Sequence, residues 1–284
     1  KLILACNSTI DKLNSIGNEL DISMINIDDI DEDIFFSEQA SLESNCIECN
    51  ENDNAVILFT SGTTANPKGA TLTHGNLTAN TKAIIDYLKL SLSDSVLMTL
   101  PFTYSYGNSI LLTHTFAGAT IVIEDSTAFP YKVLESISKN RVSGFSTVGS
   151  YINLMLKCIK IPDKNNGFFK SLRYITLAGE ATNNNDVVFI NRNYPNIRLY
   201  IMYGQTEAGA RLSYLNPEFL GPKLGSIGKG LSNVELKVVD KSGRVVEPGQ
   251  TGEIIANGPN IMAGYWEDPE ATREVIRDGW LYTG

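Results

Sequence analysis

The sequence has little positive charge, few cysteines and no long hydrophobic run, and each shortage excludes a class of protein. Its 284 residues contain 23 Lys and Arg against 32 Asp and Glu, which gives a net charge of −9. This acidic balance argues against nucleic acid or an anionic membrane surface as the main partner. No apolar run reaches the roughly 18–20 residues of a membrane-spanning helix, so we expect no membrane span.

The 4 cysteines are too few for a disulfide framework in a chain of this length, and we expect a reducing cytoplasm. Cys46 and Cys49 form a Cys-x-x-Cys motif, which is typical of half a zinc site or of a redox pair. The sequence has no second such motif, and neither His74 nor His114 has ligand spacing to it. We therefore interpret the pair as part of a polar connecting segment. The acidic run Asp28–Asp33 lacks the calcium-loop pattern and is interpreted as a solvated loop.

Short β-rich runs alternate with helical patterns through most of the chain. The runs are Ala55–Thr60, Val96–Leu100, Thr120–Glu124, Val142–Thr147, Arg173–Ala178 and Ile197–Met202. The clearest helical pattern is Asn76–Leu90, and others are centred on Val133–Asn140, Ile152–Ile159 and Asp186–Asn193. This alternation predicts an α/β fold with a largely parallel sheet and helices on the sheets.

From about residue 213 the pattern changes to one of short strands and turns. Glycine and proline become frequent, and the runs Val234–Val239 and Glu253–Ala256 flank a turn at Lys241–Arg244. Hairpins of this kind predict a small β-barrel-like subdomain. We therefore expect two α/β subdomains over residues 1–90 and 91–212, followed by the small β subdomain over 213–284.

Residues 55–69 run from an apolar strand, expected to be buried, into a loop that is rich in hydroxyl groups and ends in a lysine. The candidate ligands of this loop are Thr60, Ser61, Gly62, Thr63 and Thr64. Gly62 lets backbone N–H groups turn towards an anion, and Lys68 provides a cation. The loop is not a Walker A loop, because Gly69 rather than Ser or Thr follows the lysine. The string predicts a binding site for a polyphosphate.

The string Thr60–Gly69 resembles the phosphate-binding signature of the adenylate-forming superfamily, which includes acyl- and aryl-CoA ligases, luciferases and adenylation domains of peptide synthetases. Ala65 stands where that family usually has glycine, and this leaves every donor in place. Further segments resemble the family's motifs in the family's order: Thr73–Leu77, Ala178–Ala181, Tyr203–Glu207, Gly225–Lys229, Gly252–Ile254, Gly264–Trp266 and Asp278–Gly284. The resemblance runs from about residue 55 to the end, and the motifs are jointly specific.

The resemblance implies that a carboxylic acid reacts with ATP to give an acyl-adenylate and pyrophosphate. It implies that Ser61–Thr64 and Lys68 bind the β- and γ-phosphates, that Thr206 contacts the α-phosphate and that Glu207 is a Mg²⁺ ligand. Lys68, Thr206 and Glu207 are thus the candidate catalytic residues. The implied adenine side consists of Gly179, Glu180, Ala181, Tyr203, Gly204 and Gln205, with the Tyr203 ring stacked on the base.

The acyl pocket is harder to derive from the sequence. By the same resemblance its candidate residues are Tyr104, Val148, Gly149, Ser150, Gly204 and Gly209. CoA ligases often have His at the position of Tyr104, and amino-acid-activating members tend to have Asp there. Tyrosine cannot pair with an ammonium group, so an α-amino acid is disfavoured. The competing interpretation is that Tyr104 is a core tyrosine, and the sequence favours neither the pocket nor the core.

The expected acceptor of the acyl group is the thiol of CoA or of the pantetheine of an acyl carrier protein. Two alternatives stay open: an amino-acid-activating adenylation domain, and a non-catalytic nucleotide-binding relative. Loss of Lys68 or Glu207 would favour the second alternative, and both residues are present. Members of the family are longer at both ends and have a further domain with a catalytic lysine. We therefore expect the full-length parent to be the enzyme and the 284-residue chain by itself not to be competent.

Overall fold

The computed structural model describes residues 2–5, 13, 23–26, 48–60, 67–159 and 167–284. The chain divides into two units, residues 1–48 and residues 49–284. In the first unit, strands β1 (Leu2–Ala5) and β2 (Ser23–Asn26) pair in parallel. The second unit contains the segments that resemble the adenylate-forming family.

Some of the segments discussed above fall outside the described residues, namely the acidic run Asp28–Asp33 and Cys46. Cys49 is exposed in an irregular segment. Among the described residues, no group of three or more His, Cys, Asp or Glu side chains could hold a metal ion. In the same part of the chain, every helix is too short or too polar to cross a bilayer.

Helices and strands alternate in the second unit as far as β9, and strands predominate after it. In chain order the elements are β3 (Asn54–Thr60), β4 (Lys68–Thr73), α1 (His74–Leu88), β5 (Ser95–Met98), α2 (Ser105–Phe116), β6 (Thr120–Ile123), α3 (Pro130–Asn140), β7 (Gly144–Thr147), α4 (Gly149–Cys158), β8 (Tyr174–Leu177), α5 (Asn184–Asn193), β9 (Arg198–Tyr203), β10 (Ser213–Leu215), β11 (Lys229–Gly230), β12 (Glu235–Val239), β13 (Glu253–Asn257), β14 (Gly264–Tyr265), α6 (Pro269–Val275), β15 (Ile276–Arg277) and β16 (Trp280–Tyr282). The predicted α/β chain followed by a small β part is confirmed.

The largest sheet of this unit has seven strands in the order β11-β10-β9-β8-β7-β5-β6. The strands β9, β8, β7, β5 and β6 are parallel to one another, and β10 and β11 are added antiparallel at one edge of the sheet. Every residue of β7 and β8 is buried, as expected for parallel strands that are covered on both faces. The predicted, largely parallel sheet is confirmed.

One face of this sheet packs against aliphatic side chains from α3, α4 and α5, and we call it the aliphatic face. In α3, Val133, Leu134 and Ile137 recur at helical spacing and are completely buried in this core. Phe145 and Ile175 meet them from the strands. Each such side chain stabilises the fold by about 1.5–3 kcal/mol relative to an exposed position, so this face is a main source of stability.

The opposite face packs against α1 and α2, and we call it the tyrosine face. Successive side chains of a strand alternate between faces, so Tyr174 and Met202 lie here. Tyr87 of α1 stacks on Tyr214 with ring centroids 4.1 Å apart. His114 Nε2 of α2 lies 2.8 Å from the Tyr174 hydroxyl, and burial lowers the pKa of this histidine. His114 is therefore a neutral core residue that connects α2 to the sheet.

A smaller sheet contains the predicted phosphate-loop strand and has the order β14-β4-β3. β4 is almost entirely buried, whereas in β3 only Leu58 is buried and Phe59 is 68% exposed. The expectation of a buried strand before the loop is therefore wrong. β3 lies at the edge of this sheet, where a strand has fewer neighbours to cover its side chains.

The C-terminal part of the chain forms a four-stranded sheet of order β12-β13-β16-β15. Its strands are antiparallel neighbours, and Asp240 closes the turn after β12 by accepting hydrogen bonds from the backbone of Ser242 and Arg244. This sheet confirms the small β subdomain. The division into residues 1–90, 91–212 and 213–284 stays a prediction.

Candidate functional site

The β3–β4 hairpin holds the two ends of the predicted phosphate loop together. Thr60, the last residue of β3, pairs with Lys68, the first residue of β4, and the Thr60 hydroxyl lies 3.4 Å from the Lys68 carbonyl oxygen. The residues between them that were assigned to phosphate binding, Ser61, Gly62, Thr63 and Thr64, lie outside the described residues. Their contribution stays a prediction, whereas the backbone of Lys68 is fixed by sheet pairing at the exit of the loop.

Tyr265 connects Lys68 to Glu207. The Lys68 Nζ lies 5.3 Å from the centre of the Tyr265 ring, and the Tyr265 hydroxyl donates a hydrogen bond to Glu207 Oε1 at 2.7 Å. Burial raises the pKa of Tyr265, and the hydrogen bond to Glu207 raises it further. The phenol therefore stays protonated and donates a hydrogen bond to the carboxylate. A cation, a phenol and a carboxylate thus form one connected group.

The short strand β14 brings Tyr265 to this position, since Tyr265 pairs with Ala70 of β4. The Met262 N–H just before β14 donates to the Glu207 carbonyl at 2.8 Å, so the same segment also fixes the backbone of Glu207. In the sequence, Gly264–Trp266 was recognised only as a motif, and the contact with Glu207 was missed. The two residues are 58 positions apart, and no local pattern indicates that their side chains meet.

Thr206 and Glu207 begin a 3-10 turn directly after β9. The Thr206 hydroxyl lies 3.3 Å from the hydroxyl of Ser105, the first residue of α2. Gly209 ends the turn with φ +64°, and Ala210 follows with φ +107°, which is rare for a residue with a side chain. A backbone of this kind costs about 1–3 kcal/mol and persists only where its surroundings impose it.

Two buried asparagines impose the shape of this turn. Asn80 Nδ2, from α1, donates to the Arg211 carbonyl at 2.9 Å and approaches the Ala208 carbonyl at 3.4 Å. Asn260 Nδ2 donates to the same two carbonyls, each at 2.9 Å. The turn that contains Thr206–Glu207 is therefore held from two distant parts of the chain. Sequence analysis did not identify either asparagine.

A cavity of about 370 Å³ opens at the carboxyl ends of β8 and β9. Its walls include Gly179, Glu180, Ala181, Tyr203 and Gly204, which were all assigned to the adenine side. A Cβ at Gly204 would overlap the carbonyl group of Ala210, so only glycine fits there. Ligands of open α/β sheets commonly lie at this end of the strands, and the volume suits a small ligand.

The predicted acyl-pocket segment lies against this cavity wall. The Ser150 N–H at the start of α4 donates to Glu180 Oε1, and a Cβ at Gly149 would lie 3.2 Å from the Ala181 carbonyl oxygen. Val148 Cγ1 would lie 3.4 Å from a Cβ at Gly179. The Glu180 carboxylate therefore caps α4, which leaves the backbone of its turn to line the cavity.

Tyr104 and Gly209 complete the set of predicted acyl-pocket residues. Tyr104 precedes α2 and is 67% exposed, so the competing interpretation as a core tyrosine is wrong. Gly209 is buried beside Asn80, and a Cβ added at Gly209 would lie 3.6 Å from the Asn80 Cβ. The contact of either residue with an acyl group stays a prediction.

A second hollow of about 230 Å³ has Gln205, Glu207, Glu253, Tyr265 and Gly284 among its wall residues. Gln205 thus lies in a different hollow from the other adenine-side candidates. Glu207 Oε1 is occupied by the Tyr265 hydroxyl, and no described residue donates to Oε2. Mg²⁺ prefers oxygen ligands and is often bound by one or two carboxylates together with substrate phosphates. The residues present fit such an ion.

A cation at the exit of a hydroxyl-rich loop, a neighbouring carboxylate and a cavity at the carboxyl ends of parallel strands are typical of a nucleotide-binding α/β protein. The family model described as "AMP-binding enzyme" matches residues 2–266 of the chain. The chain therefore belongs to the AMP-binding enzyme family, as the sequence resemblance implied.

Curated relatives include the indoleacetate–CoA ligase of Aromatoleum aromaticum, which is 34% identical over 233 residues, or 81% of this chain and 44% of that protein. The feruloyl-CoA synthase of an Amycolatopsis species is 33% identical over 235 residues, or 82% of this chain and 46% of that protein. The chain spans about half the length of the curated relatives that it matches.

Two solved structures show the same fold. The O-succinylbenzoate coenzyme A synthetase of Bacillus subtilis, in complex with ATP and a magnesium ion, superposes with a TM-score of 0.81 at 29% identity and covers 100% of this chain and 56% of that chain. The structure of VinN superposes with a TM-score of 0.86 at 26% identity, covering 100% of this chain and 69% of that chain.

Proposed function

We propose that the protein activates a carboxylic acid with ATP, forming an acyl-adenylate and releasing pyrophosphate. The observation that supports this most strongly is the connected group of Lys68, Tyr265 and Glu207 at the exit of the phosphate loop. An acid and a polyphosphate are both anions, so their approach requires cations and hydrogen-bond donors at fixed positions. This group provides a cation and a carboxylate that can bind a second cation.

In the reaction, an oxygen of the acid attacks the α-phosphorus of ATP, and the bond from that phosphorus to the bridging oxygen of the β-phosphate breaks. Lys68 neutralises the charge that develops on the leaving pyrophosphate. The Thr206 hydroxyl, which donates to Ser105 in the structure, would turn its proton to the α-phosphate and accept a hydrogen bond from Ser105 instead. Mg²⁺, when bound, neutralises phosphate charge and orients the leaving group. Glu207 would be the protein ligand for this ion, and the hydrogen bond from Tyr265 would keep its carboxylate in one rotamer.

The 370 Å³ cavity is proposed as the site of the adenine and of the adjoining acyl group. The Tyr203 ring would stack on the base, and the Gly179–Ala181 backbone would line its other side. Because the Glu180 carboxylate caps α4, base recognition here relies on backbone groups. Val148–Ser150 would form the neighbouring wall towards the acyl group.

The proposed acceptor in a second step is a thiol, and we favour that of CoA. The support is that the relatives named above are a CoA ligase and a CoA synthase. The pantetheine of an acyl carrier protein has the same thiol chemistry and is the other acceptor that we propose to test. We also propose a cytoplasmic location, where ATP and CoA are both available.

The test is ATP–pyrophosphate exchange by the protein at its natural length, with a panel of carboxylic acids and Mg²⁺. We expect exchange that depends on both the acid and Mg²⁺. Trapping with hydroxylamine should then give the hydroxamate of the same acid. A protein that binds ATP but catalyses no exchange with any acid would instead be a non-catalytic nucleotide-binding relative. Adding CoA or a pantetheinylated carrier protein separately then identifies the acceptor.

A further inference from the structure

Arg211 is a buried cation that the mechanism above does not use. Only 2% of its surface is exposed, although it lies on the tyrosine face a few residues after Glu207. Its Nη1 donates to the Ser109 hydroxyl at 2.5 Å, and its Nε approaches the Met202 sulfur at 2.9 Å. Its Cζ lies 4.6 Å from the centre of the Tyr106 ring. Each of these contacts is with a neutral group.

No ion pair among the described residues includes Arg211. Arg173 makes a clear contrast, since it is more exposed and still pairs with Asp94 at 2.9 Å. The neighbouring phenols do not provide a negative charge either. Burial raises the pKa of Tyr87 and of Tyr106, and this outweighs the opposing influence of Arg211. Arginine differs from lysine and histidine, because a guanidinium group is a cation under all ordinary conditions.

A buried charge without a counter-charge is strongly unfavourable, and it is tolerated where a bound ligand supplies the missing charge or where it contributes to a site. The backbone around Arg211 is consistent with a fixed position for this cation. Both Asn80 and Asn260 donate to its carbonyl, and the strained Ala210 precedes it. The guanidinium is therefore presented from a rigid turn rather than from a mobile surface loop.

Arg211 also lies close to the proposed reaction centre. Its partner Ser109 is one helical turn along α2 from Ser105, and Ser105 contacts the Thr206 hydroxyl. Residues four apart on a helix have Cβ atoms about 5–6 Å apart. The guanidinium is enclosed by Ser109, Met202 and Tyr106, so an acid activated beside Thr206 would bring its second group, a few carbon atoms away, to Arg211 by displacing one of these neutral contacts.

We propose that Arg211 binds a second anionic group of the acid substrate, so that the preferred acids are dicarboxylates. This inference rests on the proposed function, because it assumes that an acid is activated beside Thr206. A planar guanidinium can bind a carboxylate through two parallel hydrogen bonds, which distinguishes it from a carboxamide of the same shape. Arg211 would thus determine specificity at the end of the acid that does not react.

The experiment compares acids in pairs of equal shape that differ only in charge. Suitable pairs are glutarate with glutaramate, and 4-carboxycinnamate with 4-carbamoylcinnamate. ATP–pyrophosphate exchange by the protein at its natural length gives kcat/KM for each acid. For the pair that is used best, we expect the dicarboxylate to be preferred by at least about tenfold, the factor that corresponds to roughly one charge-assisted hydrogen bond.

In Arg211→Met we expect this preference to fall by at least about tenfold, and in Arg211→Lys we expect part of it to remain. Arg192→Met, at an exposed position on α5, is the matched control and should keep the wild-type preference. If Arg211→Met does not fold, Ser109→Ala, which removes the hydroxyl that holds the guanidinium in position, should lower the preference in the same direction.

The inference is overturned if the wild-type protein activates acids but uses no dicarboxylate better than the carboxamide of the same pair. It is also overturned if Arg211→Met changes kcat/KM by the same factor for both members of a pair. Where Arg211→Met does not fold, the same result for Ser109→Ala overturns it. Failure of the proposed function gives a different result, namely no exchange with any acid. The two failures are therefore distinguishable in one assay.

Discussion

The two faces of the seven-stranded sheet differ in chemistry although they share the same strands. On the aliphatic face, Ile175 packs with Phe145 and the helices α3–α5 in a core cluster of hydrophobic side chains. On the tyrosine face, its neighbour Tyr174 hydrogen-bonds His114, and Arg211 lies nearby. The alternation of side chains along a strand thus separates an aliphatic face from a more polar face next to the Thr206–Glu207 turn. The 370 Å³ cavity borders the aliphatic face, since Val187, Leu215 and Leu220 of that core are among its wall residues.

The difference between the faces also extends to the backbone. The helices on the aliphatic face follow regular patterns, and α3 begins with Pro130 and buries one side. Beyond the tyrosine face, the turn after β9 contains the positive φ of Ala210 and depends on Asn80 and Asn260. Such features cost stability and are expected at sites that must hold groups in fixed positions. Substitutions on the two sides should therefore have separable effects.

The largest effect is expected for Lys68→Ala, on the side of the proposed site. Loss of a cation beside the polyphosphate should lower kcat/KM for pyrophosphate exchange by about 10²–10³-fold. The unfolding free energy should fall by no more than about 1 kcal/mol, the value of the contact with the Tyr265 ring. Lys82→Ala, at an exposed position of α1, is the control. Normal exchange by Lys68→Ala would remove this lysine from the mechanism.

The aliphatic face should respond in the opposite way. Ile137→Ala leaves a cavity in a completely buried position, and we expect a loss of about 2–5 kcal/mol of unfolding free energy. Per folded molecule, kcat/KM should stay at the wild-type value. Urea unfolding and exchange assays on the same preparation measure both quantities, with the half-exposed Val188→Ala as control. A variant of normal stability and low activity would show that the two faces are not separable.

Tyr265→Phe should have the smallest of these effects, because it keeps the ring beside Lys68 and removes only the hydroxyl. Without its hydrogen bond to Glu207, the carboxylate can leave its rotamer, so we expect kcat to fall by about tenfold, or about 1.4 kcal/mol. The melting temperature should change little. Tyr131→Phe, at a half-exposed position of α3, removes a phenol elsewhere and serves as the control. Unchanged kcat in Tyr265→Phe would show that the contact is dispensable.

Much of the fold was predictable from the sequence because its patterns are local. The β-rich runs and the helical spacing of α1 identify a parallel sheet, and hairpin turns identify the β part. Among the elements that were missed, two have a clear physical reason. α2 has apolar residues on several sides, since it is largely enclosed and shows no single stripe. β4 is buried along most of its length, and its sequence Lys-Gly-Ala-Thr-Leu-Thr shows neither an alternating pattern nor an apolar run.

The site was predictable only where a motif brings its residues together in the chain. Tyr203–Glu207 and Gly179–Ala181 were identified in this way. The contacts made by Tyr265, Asn80 and Asn260 join residues that are at least 49 positions apart. Single polar residues of this kind are common in any sequence, so only the fold shows that they meet at one turn.

The most direct test of the proposed site is the Mg²⁺ dependence of pyrophosphate exchange by Glu207→Gln. The substitution keeps the shape of the side chain and an acceptor for Tyr265, but it removes the negative charge that we propose binds the ion. At unchanged melting temperature, we expect the Mg²⁺ concentration for half-maximal exchange to rise by at least about tenfold, the equivalent of about 1.4 kcal/mol. A Glu207→Gln protein with the wild-type Mg²⁺ dependence would contradict the assignment of this carboxylate.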